Sequence, residues 1–260
     1  GETGAGWEQD NGREAVGGGG FGFPLCQSAT RTDSSPAGGG AKADFKGILT
    51  RMAAAPLHEL CPAGPGAETA ALGFALALAA SWAGAPGVIW AGEEGVFAED
   101  GAPCPLGLAQ YGLDPQKLIV IRCAKRDEAL WAAEQALSAR GAVVICVLSG
   151  RGKPLDLKAT RRLLLFAERN GARCVLVRPL GEASAAWTRW RVAYAPSNAA
   201  PEELGPPAFN IELMRSRGGP AGARFTLDWN ADACCLEQRV ARDLSAAPEY
   251  GSADQIRARA

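Results

Sequence analysis

Histidine is almost absent from this chain of 260 residues: His58 is the only one. That excludes a histidine-rich metal centre and zinc-finger spacing. Eight cysteines are present, yet no C-x-x-C occurs among them. Cys123, Cys146 and Cys174 fall in or at the end of apolar, β-like runs, where a thiol serves as a small hydrophobe. Cys234 and Cys235 are adjacent and poorly placed to bridge each other. A reducing cytoplasm therefore fits better than a disulfide scaffold. Long apolar runs are missing too. The longest, Ala70–Ala83, is broken by Gly73 and Ser81. It falls short of the roughly 18–20 residues of a membrane span and reads as a buried helix. There is no N-terminal pattern of positive, apolar and small residues, so no signal peptide is expected. Neither sign of charge is in excess: 27 Lys and Arg face 28 Asp and Glu, a net charge of −1. A general polyanion binder is excluded, and any nucleic-acid contact would come from a local patch.

What is present divides into three parts. Residues 1–44 are dominated by Gly, Ser and Pro without lasting periodicity, which predicts a mostly disordered region. Residues 45–230 alternate strand-like and helix-like runs and form the expected folded domain. Residues 231–260 turn polar and Ala-rich and read as a flexible tail, mobile or folding only on a partner.

Within the domain, strands are expected at Leu57–Cys61, Val88–Ala91, Lys117–Arg122, Ala142–Leu148 and Cys174–Val177. Helices are expected at Glu68–Trp82, Asp127–Arg140 with Gly141 as its stop, and Asp156–Asn170 with Asp156 as N-cap and Gly171 beyond its end. Alternation at this spacing implies parallel strands with helical crossovers. The ending differs: Trp190–Ala195, Ala208–Arg217 and Ala223–Trp229 are strand-like with no helix between them, and the last two form a hairpin. The sum is an α/β fold with a mostly parallel sheet and an antiparallel C-terminal edge.

The turn between the first strand and helix, "CPAGPGAET" (61–69), has the position of a phosphate-binding loop. Such a loop needs a lysine just inside the helix, followed by Ser or Thr. Here Glu68 takes the lysine position and Thr69 the hydroxyl position, after a turn built on Pro62, Gly64 and Gly66. A carboxylate about 4 Å from a phosphate repels it by about 4 kcal/mol at an effective dielectric near 20, where a lysine would attract by a similar amount. Shifting the register does not help. From Met52 to Gln116 there is no Lys or Arg, and there are seven carboxylates. The later strand "AVVICVLSG" also ends in Leu148 and Ser149, without the acid that would hold magnesium. No catalytic residue, metal ligand or cofactor is expected.

Three strings stand in an order that resembles the core of the RecA recombinase family: "LHELCPAGPGAET", "YGLDPQKLIVIRC" and "EALWAAEQALSARGAVVICV". With "AALGFALALAA", "LDLKATRRLLLFAE", "TRWRVAYAPS" and "IELMRSRGGPAGARFTLDW", they resemble more specifically the ImuA family, over about residues 57–230. The resemblance implies a RecA-like three-layer core whose nucleotide loop is commonly degenerate. It also implies a DNA-damage-induced, SOS-type role in error-prone translesion synthesis. Its partners would be an ImuB-like protein, RecA and an error-prone DnaE-type polymerase, in a cytoplasmic, nucleoid-associated setting. The first 44 residues depart from the family's usual compact start.

Several residues carry two readings. Glu93 follows the second strand, where RecA-type ATPases place the carboxylate that activates water; the plainer reading is an exposed acidic loop with Glu94, Glu99 and Asp100. Trp187, Arg189, Trp190 and Arg191 lie close together. Such residues build protein hot spots and also stack on bases. Strand alternation places Trp190 and Val192 on one face, so Trp190 also reads as core. Arg215, Arg217 and Arg224 cluster around the terminal hairpin turn, as a solvated turn or as a basic spot for an acidic partner or DNA. Arg161 and Arg162 read as solvated, and His58 as a satisfied core histidine. A non-catalytic adaptor is the favoured function. The alternatives are a divergent ATPase binding Mg-ATP at Pro62–Thr69, and a regulator of RecA filaments or cell division.

Overall fold

The computed structural model describes residues 47–48, 54–82, 87–151, 155–181, 183–199, 202–217, 219 and 221–239. The expected disordered region 1–44 and most of the expected tail lie outside them.

The sequence builds alternating strands and helices. Strand β1 (Leu57–Pro62) leads into helix α1 (Glu68–Trp82), then β2 (Val88–Glu93) and two short helices, α2 (Glu94–Asp100) and α3 (Pro105–Gln110). Strand β3 (Leu118–Cys123), helix α4 (Arg126–Ala136), β4 (Val143–Val147), α5 (Leu157–Asn170) and β5 (Arg173–Val177) follow. Four strands close the fold: β6 (Thr188–Tyr194), β7 (Ala208–Ser216), β8 (Arg224–Asn230) and β9 (Cys235–Gln238). They form one nine-stranded sheet in the order β3-β2-β4-β5-β1-β6-β7-β8-β9. Pairing is parallel from β3 to β6 and antiparallel from β6 to β9. The expected α/β fold with an antiparallel C-terminal edge is what the sheet shows.

The helices lie on both faces. On one face α1, α2 and α3 pack over the sheet around Phe74, Leu78, Trp90, Ile145, Trp190 and Trp229. On the other, α4 and α5 enclose Leu130, Leu137, Val144, Cys146, Leu163 and Leu176. Helix α1 is buried on several sides, and its alanines let strands and neighbouring loops approach closely. Gly73 marks the tightest point. A Cβ there would meet the Tyr111 hydroxyl at 2.9 Å and the Phe209 ring at 3.2 Å.

Local signals hold where they rest on side-chain chemistry. Asp156 caps α5 by accepting from the Ala159 amide at 2.8 Å, and Gly171 ends the helix in the left-handed region. Helix α4 ends earlier than expected, at Ala136. From Leu137 the chain tightens into turns closed by Ser138 N–H to Gln135 O and Ala139 N–H to Ala136 O, before Gly141 turns it at φ 71°. Helices α2 and α3 give no periodic signal because they are short and lie among glycines and prolines. The largest correction concerns the expected tail from residue 231. Residues 235–238 are a ninth strand, paired to β8 with Trp229 opposite Leu236, so the folded unit runs beyond Asn230.

Candidate functional site

The loop after β1 keeps the frame of a phosphate loop. Ala63 N–H donates to Val192 O at 2.8 Å, Ala67 N–H donates to Gly64 O at 3.1 Å, and Gly66 takes φ 84°. Two glycines and a proline thus turn the strand into the helix. A cleft of about 310 Å3 opens beside this turn, lined by Pro62, Glu68, Glu99, Asp100, Arg151 and Arg178 among others. Its three carboxylates set its electrostatics. Burial pushes the Asp100 carboxyl up, and Glu68 and Glu99 push it further. Both arginines are engaged, Arg151 with Glu99 and Arg178 with Glu59. The Thr69 hydroxyl is hydrogen-bonded to the Tyr194 hydroxyl. Among the described residues no group of three or more His, Cys, Asp and Glu is placed to hold a metal ion. A magnesium nucleotide, which the sequence resemblance would imply, does not fit these residues. The lysine position carries a carboxylate, the hydroxyl position is occupied, and the acid position is Ser149.

Glu93 is not part of an exposed acidic loop, contrary to the plainer expectation. It ends β2, half enclosed. One carboxylate oxygen accepts from the Ser149 amide at 2.9 Å and the other from the Ser149 hydroxyl at 2.9 Å, with Arg126 at 3.5 Å. Arg126 also donates to Ser149 O at 2.9 Å. Glu93 thereby ties the end of β4 to the start of α4, with its oxygens engaged. Glu94 does reach solvent, paired with Arg122 at 2.5 Å.

The C-terminal candidates separate. Trp190 is fully buried, packs edge-on to Phe74 and donates its Nε1–H to Thr188 Oγ1 at 2.9 Å. It is core, because strand alternation turns it toward α1, and no partner can reach it. Arg189 is not a surface contact either: its side chain is 14% exposed and pairs with Glu59 at 2.9 Å. Trp187 is half-buried at the edge of the α4–α5 face. Arg217 lies over its ring at 5.3 Å, and its Nε1–H donates to Glu168 at 3.4 Å. Arg191 and Arg224 share one carboxylate, Glu212, at 3.5 and 3.2 Å. Arg215 donates to Ser184 O. The three expected turn arginines are therefore no single cluster, since strand register gives each a different partner. His58 is the satisfied core histidine expected, with Nδ1 2.6 Å from Thr188 Oγ1 and its ring stacked on Trp82.

A buried charge triad had no place in the sequence reading. Glu59, fully buried on central strand β1, faces Arg178 at 3.0 Å and Arg189 at 2.9 Å. Cys61 lies beside it, its thiol donating to Glu59 at 3.6 Å, and burial pushes that thiol up to about 12. A glutamate inside the strand-like run "LHELCP", next to His58, was the available signal.

No family model matches the chain. It is similar to Protein ImuA of Caulobacter vibrioides strains NA1000 / CB15N and ATCC 19089 / CIP 103742 / CB 15. Each is 36% identical over 130 residues, covering 45% of this chain and 52% of the relative. The chain thus spans about half the length of the curated relatives it matches. The resemblance to ImuA seen in the sequence is borne out by these relatives. Among solved structures, the crystal structure of the RadB recombinase aligns with a TM-score of 0.49 at 16% identity, over 72% of this chain and 92% of that one. No helix among the described residues is long and apolar enough to cross a membrane.

Proposed function

We propose that this protein is a non-catalytic, RecA-like adaptor of a DNA-damage-induced translesion synthesis assembly. In this reading it works with an ImuB-like protein and an error-prone DnaE-type polymerase, and it touches RecA. One observation carries the non-catalytic part. The cleft beside the phosphate-loop frame is lined by Glu68, Glu99 and Asp100 and by no lysine; of its two arginines, Arg178 is buried against Glu59 and Arg151 pairs with Glu99 of the cleft itself. A triphosphate entering it meets like charge and finds no free lysine. The similarity to ImuA supports the cellular role. The exposed candidates left for partner contact are Arg191, Arg215, Arg217 and Arg224, with the accessible edge of Trp187. Any DNA contact is weak or made through the partners.

Two measurements test this. Calorimetric titration with Mg-ATP to millimolar concentration is expected to give no binding heat. A saturable isotherm would reinstate the divergent ATPase. Size-exclusion chromatography with purified ImuB-like protein and RecA is expected to show a complex with at least one of them. Elution of all components apart would sink the adaptor reading.

A further inference from the structure

The two faces of the sheet are covered unequally. Beyond β1, the face carrying Arg191, Asn210, Glu212, Arg224 and Thr226 has no helix over it among the described residues; α4 and α5 pack on the other strands. On this open face lies a trough of about 310 Å3. Strand register sets its lining in two rows, Arg191–Glu212–Arg224 and Ala193–Asn210–Thr226, with Ala63, Ile211 and Phe225 completing it. Arg215 and Arg217 continue toward the hairpin turn, both exposed.

The charges do not cancel. In the trough Arg191 and Arg224 stand against the one carboxylate of Glu212, which serves both, while nearby Asp228 is paired with Arg239. Arg224 has 76% of its side chain exposed, so its pair with Glu212 is of the weak surface kind and exchanges readily for another acid. Arginine's planar fork suits a carboxylate in a two-point contact. Ala63 and Ala193 are small and leave room for an extended backbone beside them. The one aromatic ring lining the trough, Phe225, is 5% exposed and offers bases little to stack on. The Trp187 ring is already covered by Arg217, and the Tyr194 hydroxyl is engaged with Thr69.

We infer that this trough is a docking site for an acidic, extended segment of a partner protein. Its carboxylates would displace Glu212 from Arg191 and Arg224, and its small side chains would lie over Ala63 and Ala193. This rests on the adaptor reading in taking the occupant to be protein, and it names the chemistry of one docking surface.

The test uses the full chain and a fluorescein-labelled decapeptide alternating Glu and Ala, read by fluorescence anisotropy. The acidic peptide is expected to bind, and its Lys–Ala counterpart not to. Arg191→Glu with Arg224→Glu is expected to weaken binding at least tenfold. Ala193→Trp, which fills the trough and keeps every charge, is expected to do the same. Thermal unfolding of both variants confirms that they remain folded. Absence of acidic-peptide binding, or full binding by the Ala193→Trp variant, would overturn the proposal. So would a twenty-residue oligo-dT binding more tightly than the peptide and being lost in the double arginine variant, which would make the face a nucleic-acid surface. Mg-ATP titration of the same protein separates the two ideas, since a nucleotide isotherm would remove the adaptor reading while leaving the peptide result standing.

Discussion

The parallel half of the sheet and its antiparallel half handle charge in opposite ways. Strand β4 is buried at all five positions, because helices cover both of its faces. Strands β6 and β8 bury only alternate residues. In the first half a charged side chain must be neutralised inside, and Glu59 is held between Arg178 and Arg189. In the second half charges pair sideways on an open face, as Arg191 and Arg224 do with Glu212. The same ion-pair chemistry thus has two energetic weights. Removing one member of a buried set strands the rest in low dielectric, whereas an exposed pair trades its partner for water.

Substitutions can break that contrast. Glu59→Ala is expected to cost about 3–5 kcal/mol in urea unfolding, because two buried guanidinium groups lose their counter-charge. A loss under 1 kcal/mol would mean that water or another acid reaches them. Trp190→Ala on the core side of β6 is expected to cost about 3–5 kcal/mol as well, while Trp187→Ala at the edge should cost far less. Equal losses would erase the distinction between the two tryptophans. Asp156→Ala, which removes the α5 cap, should cost about 1 kcal/mol. Arg224→Ala on the open face should stay within about 0.5 kcal/mol of the parent.

Acid titration sharpens the comparison at a third site. Glu134 on α4 is 3% exposed and pairs with Arg162. Burial raises its carboxyl above the usual value of 4.5, and Arg162 offsets only part of the rise. The folded state therefore binds this proton more tightly than the unfolded state. The cost is absent at pH below 4.5 and grows as pH rises through the folded value. Glu134→Gln should thus gain stability relative to the parent between pH 4 and 7. A constant difference across that window would show that the carboxyl is not raised. The smallest effect is chemical. Backbone N–H groups of Gly107 and Leu106 lower the exposed Cys104 thiol, while burial pushes Cys174 up to about 12. Ellman's reagent at pH 8 should titrate Cys104 early and reach Cys146 and Cys174 only on unfolding.

The fold was legible where a residue's own chemistry decides its place. The continuous apolar run 142–148, the Asp156 cap, the Asn170-Gly171 stop and the alternation of Trp190 and Val192 with arginines all lie as read. Strand β9 was not legible, because four residues ending in Glu237 and Gln238 have no hydrophobic period and gain their place only by pairing with β8. For the candidate site, the loss of the lysine and of the magnesium-holding acid could be read directly. That Glu93 is clasped by Ser149, and that Arg189 turns inward to Glu59, depended on residues more than fifty and more than a hundred positions away. A one-dimensional pattern does not carry such pairings.

The place of β1 at the middle of the sheet has a consequence for biosynthesis. Its neighbours, β5 and β6, are the fifth and sixth strands to be made. At about 5–20 residues per second, Glu59 waits roughly 6–25 s on the ribosome for Arg178 and Arg189, which follow it by about 120 and 130 residues. Until then its charge keeps the nascent strand hydrated, and an otherwise oily segment is discouraged from premature pairing. A Glu59→Leu chain, well packed once complete, would be expected to aggregate during synthesis more than the parent does.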